Sequence, residues 1–466
     1  MFYVVLCLAG AVSWGAILRR WQVGLVLLVL FLPFGGAITL WTGGNTLSIL
    51  AKDILVVTPL YVAFALRGVR VTSVQLPVSV LLSVTSFALI VILEMGNPKV
   101  ANVAVALVGA KVSLFYIPLL VVTATMLKSE GDAVTLLRTM IALVPIPCIV
   151  GLIQYFGSNA FGHQETISAF YGPGAAAAAT QGFSSFDYGG TLYRIPSTFV
   201  SVAHYFGYIE HSLVPTYVVL RCDPSRRWRR YALFLLVLLI SASFLSGARS
   251  AFIFVPILLV LMMVFDRVIA GAMTWVAIIP SLFVMVLGVA GLDPWIVADQ
   301  VRDLAATNVK NTALSSVWEA IRDYPLGLGT GMNTVAARHV ITGDSSLLGF
   351  ESQYAKTVAE LGILGLATLL AVFTALVIAA WNARRDLRGT QWSSAGAAFA
   401  AYFTILPFHA LKGWPLDWEP ANVYYWMFAA LVVTLPRLAA QPRARPMAVL
   451  HELWQQQRRA RRAHTA

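Results

Sequence analysis

Apolar positions in this chain neither alternate nor form a single helical stripe; they come in long blocks separated by short polar breaks. A bilayer core about 30 Å thick takes about 20 helical residues, so such blocks predict spanning helices. Their length and lack of alternation exclude barrel strands. Blocks near 2–18, 22–41, 48–66, 75–94, 101–127 and 134–156 form a first group. A second group covers 200–220, 231–245, 251–265 and 268–290, and a third 353–381, 393–411 and 422–435. The expected fold is an all-α, polytopic transmembrane bundle of about 12–13 spans, twelve if the first block is peripheral. Two polar stretches, 157–199 and 292–350, exceed ordinary connectors and are expected to be functional loops. They divide the chain into N-terminal spans (1–156), a first long loop (157–199), central spans (200–291), a second long loop (292–350), C-terminal spans (351–436) and a basic tail (437–466). From Val301 to Ile321 apolar positions recur at helical spacing, which predicts an amphipathic helix on the membrane face or over a cavity.

Charge orients the bundle. Of 33 Lys and Arg, roughly 22 fall on alternate connections and the tail, which marks that side as cytoplasmic. Arg226-Arg227-Trp228-Arg229-Arg230 is the clearest marker. The net charge of +12 then has acidic lipid headgroups as its partner rather than nucleic acid. Composition agrees, with 59% apolar and 12% charged residues, against about 25% charged in soluble domains. Arg19-Arg20 follows the first apolar run where a signal peptide would carry small residues, so no cleaved leader is expected. Cys7, Cys148 and Cys222 are too scattered for a disulfide framework or a metal cluster.

The few strong charges on the opposite, outer side are not explained by insertion. Arg249 stands in the five-residue turn Ser246-Gly247-Ala248-Arg249-Ser250 between two spans, and Arg194 precedes the span near 200. Snorkelling or capping is the competing role for both. Glu351 opens a span, where a carboxylate also serves as a helix cap. Lys111 lies well inside a span, a costly position that calls for a cavity or a partner. Lys52 and Asp53 are expected to pair with each other. His204, Tyr208 and His211 share one helix face; interhelical hydrogen bonding suits them better than metal binding, which needs a third ligand. His163, Arg338 and His339 read as solvated loop residues. Gly327, Gly329 and Gly331 lack the strand and Lys-Ser/Thr pair of a phosphate loop and read as a flexible turn.

Cations fixed at the outer headgroup level suit a phosphate or diphosphate, and a nearby carboxylate can take a proton from a hydroxyl. Together they fit displacement of a lipid diphosphate from a sugar by another sugar's hydroxyl, with Arg charge stabilising the leaving group and no metal required. The run Trp318 to Met332, then Glu351-Ser352-Gln353-Tyr354, then Ala359-Glu360-Leu361-Gly362 with Gly365, resembles the C-terminal signature of the O-antigen ligase and O-antigen polymerase superfamily. Ser246 to Ser250 resembles that family's Ser-x-x-Arg turn, and Arg194 to Phe199 its Arg-x-x-Gly-Thr-Phe element. The resemblance covers roughly 190–370.

It implies a glycosyltransferase of the bacterial inner membrane, active on the periplasmic face. The donor would be an undecaprenyl-diphosphate-linked oligosaccharide, and the partners a glycan acceptor, membrane lipids, a flippase and a chain-length regulator. It implies no cofactor and no metal. Arg194 and Arg249 would hold the diphosphate, with Lys111 and Arg338 as further cations. Glu351 takes the place of the family's His as base, with Lys356, His204 and Tyr354 in support. That change favours a polymerase of exopolysaccharide, O-antigen or capsule repeats over a ligase acting on lipid A-core. A transporter or flippase of lipid-linked sugars is the alternative from another class; it predicts charges through the whole bilayer and internal repeats.

Overall fold

The computed structural model describes residues 2–67, 75–175, 185–187, 190–267, 280–308, 314–334, 337 and 349–441. Arg338, His339 and the tail from residue 442 on lie outside them. Apart from one short hairpin, the secondary structure is helical, and each apolar block of the sequence is helical over most of its described residues. The elements that position the site are α1 (Asp53–Leu66), α2 (Val78–Glu94), α3 (Val103–Met126), α4 (Glu130–Phe161) and α5 (His163–Tyr171). The hairpin pairs β1 (Ser185–Asp187) with β2 (Thr191–Tyr193), Phe186 facing Leu192. Then come α6 (Val202–Cys222), α7 (Arg226–Phe244), α8 (Ala251–Phe265), α9 (Leu314–Asp323), α10 (Gln353–Asp386), α11 (Ser393–His409) and α12 (Ala421–Ala440).

Among the described residues α3, α4, α10 and α12 are long and apolar enough to cross a membrane. Counting two bent pairs, Trp21–Phe31 with Gly35–Trp41 and Pro280–Val289 with Pro294–Gln300, gives up to 6 such spans. Burial separates them: 72% of the apolar window of α12 is inside the protein, against 39% for α3 and α10. α12 is therefore the central post, and α3 and α10 keep broad apolar faces on the outside. Around the post, Phe399, Tyr402 and Phe403 of α11 meet Tyr424, Tyr425 and Phe428 in a fully buried aromatic cluster. α11 comes close because its sequence is small, with Ala395, Gly396, Ala397, Ala398, Ala400 and Ala401 all buried. A Cβ on Gly396 would stand 2.9 Å from the Arg384 Cα. Small residues let backbones approach in this way, trading side-chain volume for helix–helix contact.

The described residues of the two stretches expected as loops include helices and a hairpin. α4 runs on to Phe161 and is followed by α5 and the hairpin. In the second stretch, helices Pro294–Asn308 and α9 occupy most of the region expected to hold one amphipathic helix. α9 buries Ala320 against Ala355 and Val358 of α10.

The glycine-rich run that follows α9 is a docked insert rather than a flexible turn. Gly362 (φ 68°, ψ −170°) interrupts α10, so carbonyls just before it lose the partners one turn ahead. Leu328 N donates to Ala359 O at 2.8 Å and Gly329 N to Glu360 O at 2.9 Å, while Ile363 N donates to Pro325 O at 2.9 Å. Gly327, Gly329 and Gly331 all have positive φ. The chain is pressed so close that a Cβ on Gly327 would lie 2.6 Å from the Glu360 carbonyl. Gly331 meets Gly109 of α3 backbone to backbone. The Glu360 carboxylate completes the dock, accepting from Asn333 N at 2.7 Å and Thr334 Oγ1 at 3.0 Å.

Candidate functional site

Arg194 and Arg249 are brought together by backbone. Ile195 N donates to Ser246 O at 2.9 Å. Gly247 adopts φ 78°, and a Cβ there would stand 2.7 Å from the Arg194 Cα, so the turn bearing Arg249 lies directly on the segment bearing Arg194. That segment is itself pinned. Ser197 is fully buried, receives a bond from the Gln154 amide at 3.3 Å and donates its Oγ to Pro147 O at 2.6 Å. The Arg249 guanidinium sits 4.5 Å from the ring centre of Phe186 in the hairpin, a cation–π contact. Burial pulls the Arg194 pKa down; Arg249 acts in the same direction and Glu351 opposes it. Glu351 precedes α10, which is capped by the Ser352 hydroxyl instead. Its carboxylate pairs with Lys412 and is 64% exposed.

His163 departs from a solvated loop residue. It stacks on Tyr193 with ring centres 5.0 Å apart, shares a hydrogen bond with Ser158 at 3.0 Å, and burial lowers its pKa. This places an uncharged ring at neutral pH beside the Arg194 segment.

Lys111 belongs to a different group. Its Nζ lies 2.8 Å from Asp53 Oδ2 and 3.2 Å from Glu419 Oε1. Lys52 bridges the same acids, at 2.6 Å to Asp53 and 3.0 Å to Glu419. Tyr116 donates to Asp53 at 2.6 Å and also contacts Glu419 and Lys52. The expected Lys52–Asp53 pair is thus half of a four-charge network. His204 stacks on Trp418, ring centres 5.6 Å apart, and bonds Ser201 at 2.8 Å. The rest of its helix face points into the aromatic core: Tyr208 lies 6.1 Å from Tyr424, and His211 bonds Gly207 O at 2.7 Å.

Lys356 is fully buried in a third group. It pairs with Asp417 and lies 3.7 Å from Glu360, while Gln353 donates to Asp417 at 3.2 Å. Tyr354, beside it, donates its hydroxyl to Pro407 O at 2.7 Å and anchors α10 to α11. Arg338 is outside the described residues.

One connection unites the three groups. Residues 410–420, between α11 and α12, supply Lys412 to Glu351, Asp417 to Lys356, Trp418 to His204 and Glu419 to Lys52 and Lys111. Gln353 N donates to Ala410 O at 2.9 Å and Gly413 O at 3.1 Å, which fixes the connection to the start of α10. Sequence reasoning overlooked Lys412, Asp417 and Glu419. Their signal was three charges and two tryptophans in the short run Lys412-Gly-Trp-Pro-Leu-Asp-Trp-Glu419 between two apolar blocks. It also overlooked Glu210, buried in α6, whose carboxylate lies 3.1 Å from His409 Nδ1.

The arrangement offers two arginines on touching backbone segments, beside buried ion networks of near-balanced charge. Such an assembly can hold an anion and accept a proton. No group of three or more His, Cys, Asp or Glu suited to a metal occurs among the described residues. Neither a known protein family nor a curated protein matches this chain.

Proposed function

We propose that the chain is a polymerase of undecaprenyl-diphosphate-linked saccharide repeats, acting at the periplasmic face of a bacterial inner membrane. The observation that carries this reading is the seating of the Ser246–Ser250 turn on Tyr193-Arg194, which brings the segments bearing Arg249 and Arg194 into contact. In this reading Arg194 and Arg249 hold the donor's diphosphate, and Arg charge stabilises it as it leaves. Glu351 takes the proton of the attacking hydroxyl: the new C–O bond forms as the anomeric C–O bond to diphosphate breaks. Arg338 is the further cation of the donor site, with Lys356, His204 and Tyr354 supporting the acid, while Lys111 stands apart, tied to Asp53 and Glu419. The topology that goes with it is 12–13 spans, in which shorter apolar helices such as α1, α2 and α8 also cross.

Purified chain supplied with a lipid-diphosphate oligosaccharide should produce longer glycans and release undecaprenyl diphosphate. Arg194→Ala, Arg249→Ala and Glu351→Gln should each abolish elongation in protein that still elutes as a folded species. Full elongation by all three variants would sink the mechanism. The same assay with lipid A-core as acceptor separates a ligase from a polymerase. Transport without bond formation would point instead to a flippase.

A further inference from the structure

We propose that Lys52 and Lys111 form a second anion site, separate from the Arg194–Arg249 pair, that takes a phosphate or diphosphate group and is held closed by the carboxylate of Glu419. The network contains two ammonium groups and two carboxylates, and the carboxylates are not equivalent. Asp53 is as buried as Lys52, each side chain 6% exposed, and it also receives the Tyr116 hydroxyl at 2.6 Å. It is a permanent counterion. Glu419 is 30% exposed, lies opposite an equally exposed Lys111, and is carried on the 410–420 connection rather than on a long helix.

The chemistry of the gap follows from those partners. Glu419 Oε1 receives Lys111 and Tyr116, and Oε2 faces Lys52 at 3.0 Å. If that carboxylate leaves, two ammoniums and a phenol face the opening with one net positive charge. Ammonium groups offer three donors each and no acceptor, so the vacated position suits an oxyanion with several acceptor oxygens and excludes a cation. A diphosphate brings more oxygens and more charge than one carboxylate and can replace it. Glu419 is thereby an internal stand-in for the ligand, and its departure releases one of the ties holding residues 410–420. The assignment of that ligand to a lipid-linked donor rests on the function proposed above; the anion site itself does not.

The test uses the full chain in detergent, titrated with inorganic pyrophosphate and separately with farnesyl diphosphate. Glu419→Gln should bind pyrophosphate about ten-fold tighter than the wild type, a gain that adding Lys111→Gln removes. Equal affinity in wild type and a folded Glu419→Gln protein would overturn the site. The wild type supplies a second reading that needs no altered Glu419: saturating pyrophosphate should speed amide exchange across 410–420 several-fold, and Lys111→Gln should suppress that response. Unchanged exchange at saturation would overturn the site as well. Tighter binding of farnesyl diphosphate than of pyrophosphate assigns the ligand to a lipid headgroup, and equal binding assigns it to a free anion. Failure of elongation with this binding intact removes the proposed function alone. Binding lost in Arg249→Ala and untouched by Lys111→Gln removes the second site alone.

Discussion

The two ends of the bundle handle charge in opposite ways. At the arginine-rich end a buried acid meets an arginine that stays partly exposed: the Asp223 and Asp266 side chains are 1% and 4% exposed, those of Arg138 and Arg221 29% and 42%. Arg138 makes two bonds to Asp223, at 2.8 and 2.7 Å, and lies 5.3 Å from the ring centre of Trp228. Arg221 reaches Asp266 at 3.1 Å, and Arg384 donates to Phe265 O while stacked on Trp381. Arg226 and Arg227 are simply exposed. At the other end cations and acids are buried together and share partners: Lys52, Asp53, Lys356 and Glu360 are buried, and Asp417 and Glu419 reach them from the 410–420 connection. Burying an ion costs several kcal/mol unless its partners are well placed. The arginine end sets buried acids against partly exposed arginines; the connection at the opposite end ties several buried ions into shared networks.

Mutation can break that contrast. Lys356→Met leaves Asp417 and Glu360 buried without their cation and should cost about 3–5 kcal/mol, read as a lowered midpoint in thermal unfolding of the detergent-solubilised protein. A loss under about 1 kcal/mol would make this network no different from a surface pair. Arg249→Ala should lower elongation by about 100-fold or more while leaving the unfolding midpoint nearly unmoved, since its partner is a ring face rather than a buried acid. Gly331→Ala puts a side chain at φ 97° against the backbone of α3 and should cost about 2–4 kcal/mol, with faster proteolysis of the 325–334 insert. Arg226→Gln, the control at the arginine end, should change stability by no more than about 0.5 kcal/mol.

Helices were legible in the sequence because apolar blocks of spanning length have one economical conformation, and the blocks near 393–411 and 422–435 correspond closely to α11 and α12. The Arg249 turn was legible because five residues leave little freedom between two helices. The 410–420 connection was not, since single charges at the edge of an apolar block look like ordinary boundary residues, and only tertiary structure shows that they reach both the start of α10 and the Lys52–Lys111 pair. Glu210 was hidden by its neighbours: His204, Tyr208 and His211 define one face, while Glu210 points to His409 on α11. Glu360 stood in a recognisable motif, yet its bonds to Asn333 and Thr334 depend on a break in α10 that a lone glycine does not announce.

The interruption at Gly362 carries a consequence for biogenesis. A buried carbonyl left unpaired is costly, and two of those in α10 accept from the amides of Leu328 and Gly329. Although the sequence of α10 is apolar throughout its middle, this turn of the helix draws hydrogen bonds from another segment. Its maturation waits on a segment synthesised earlier returning to it, so insertion and tertiary closure of this part of the chain are one event rather than two.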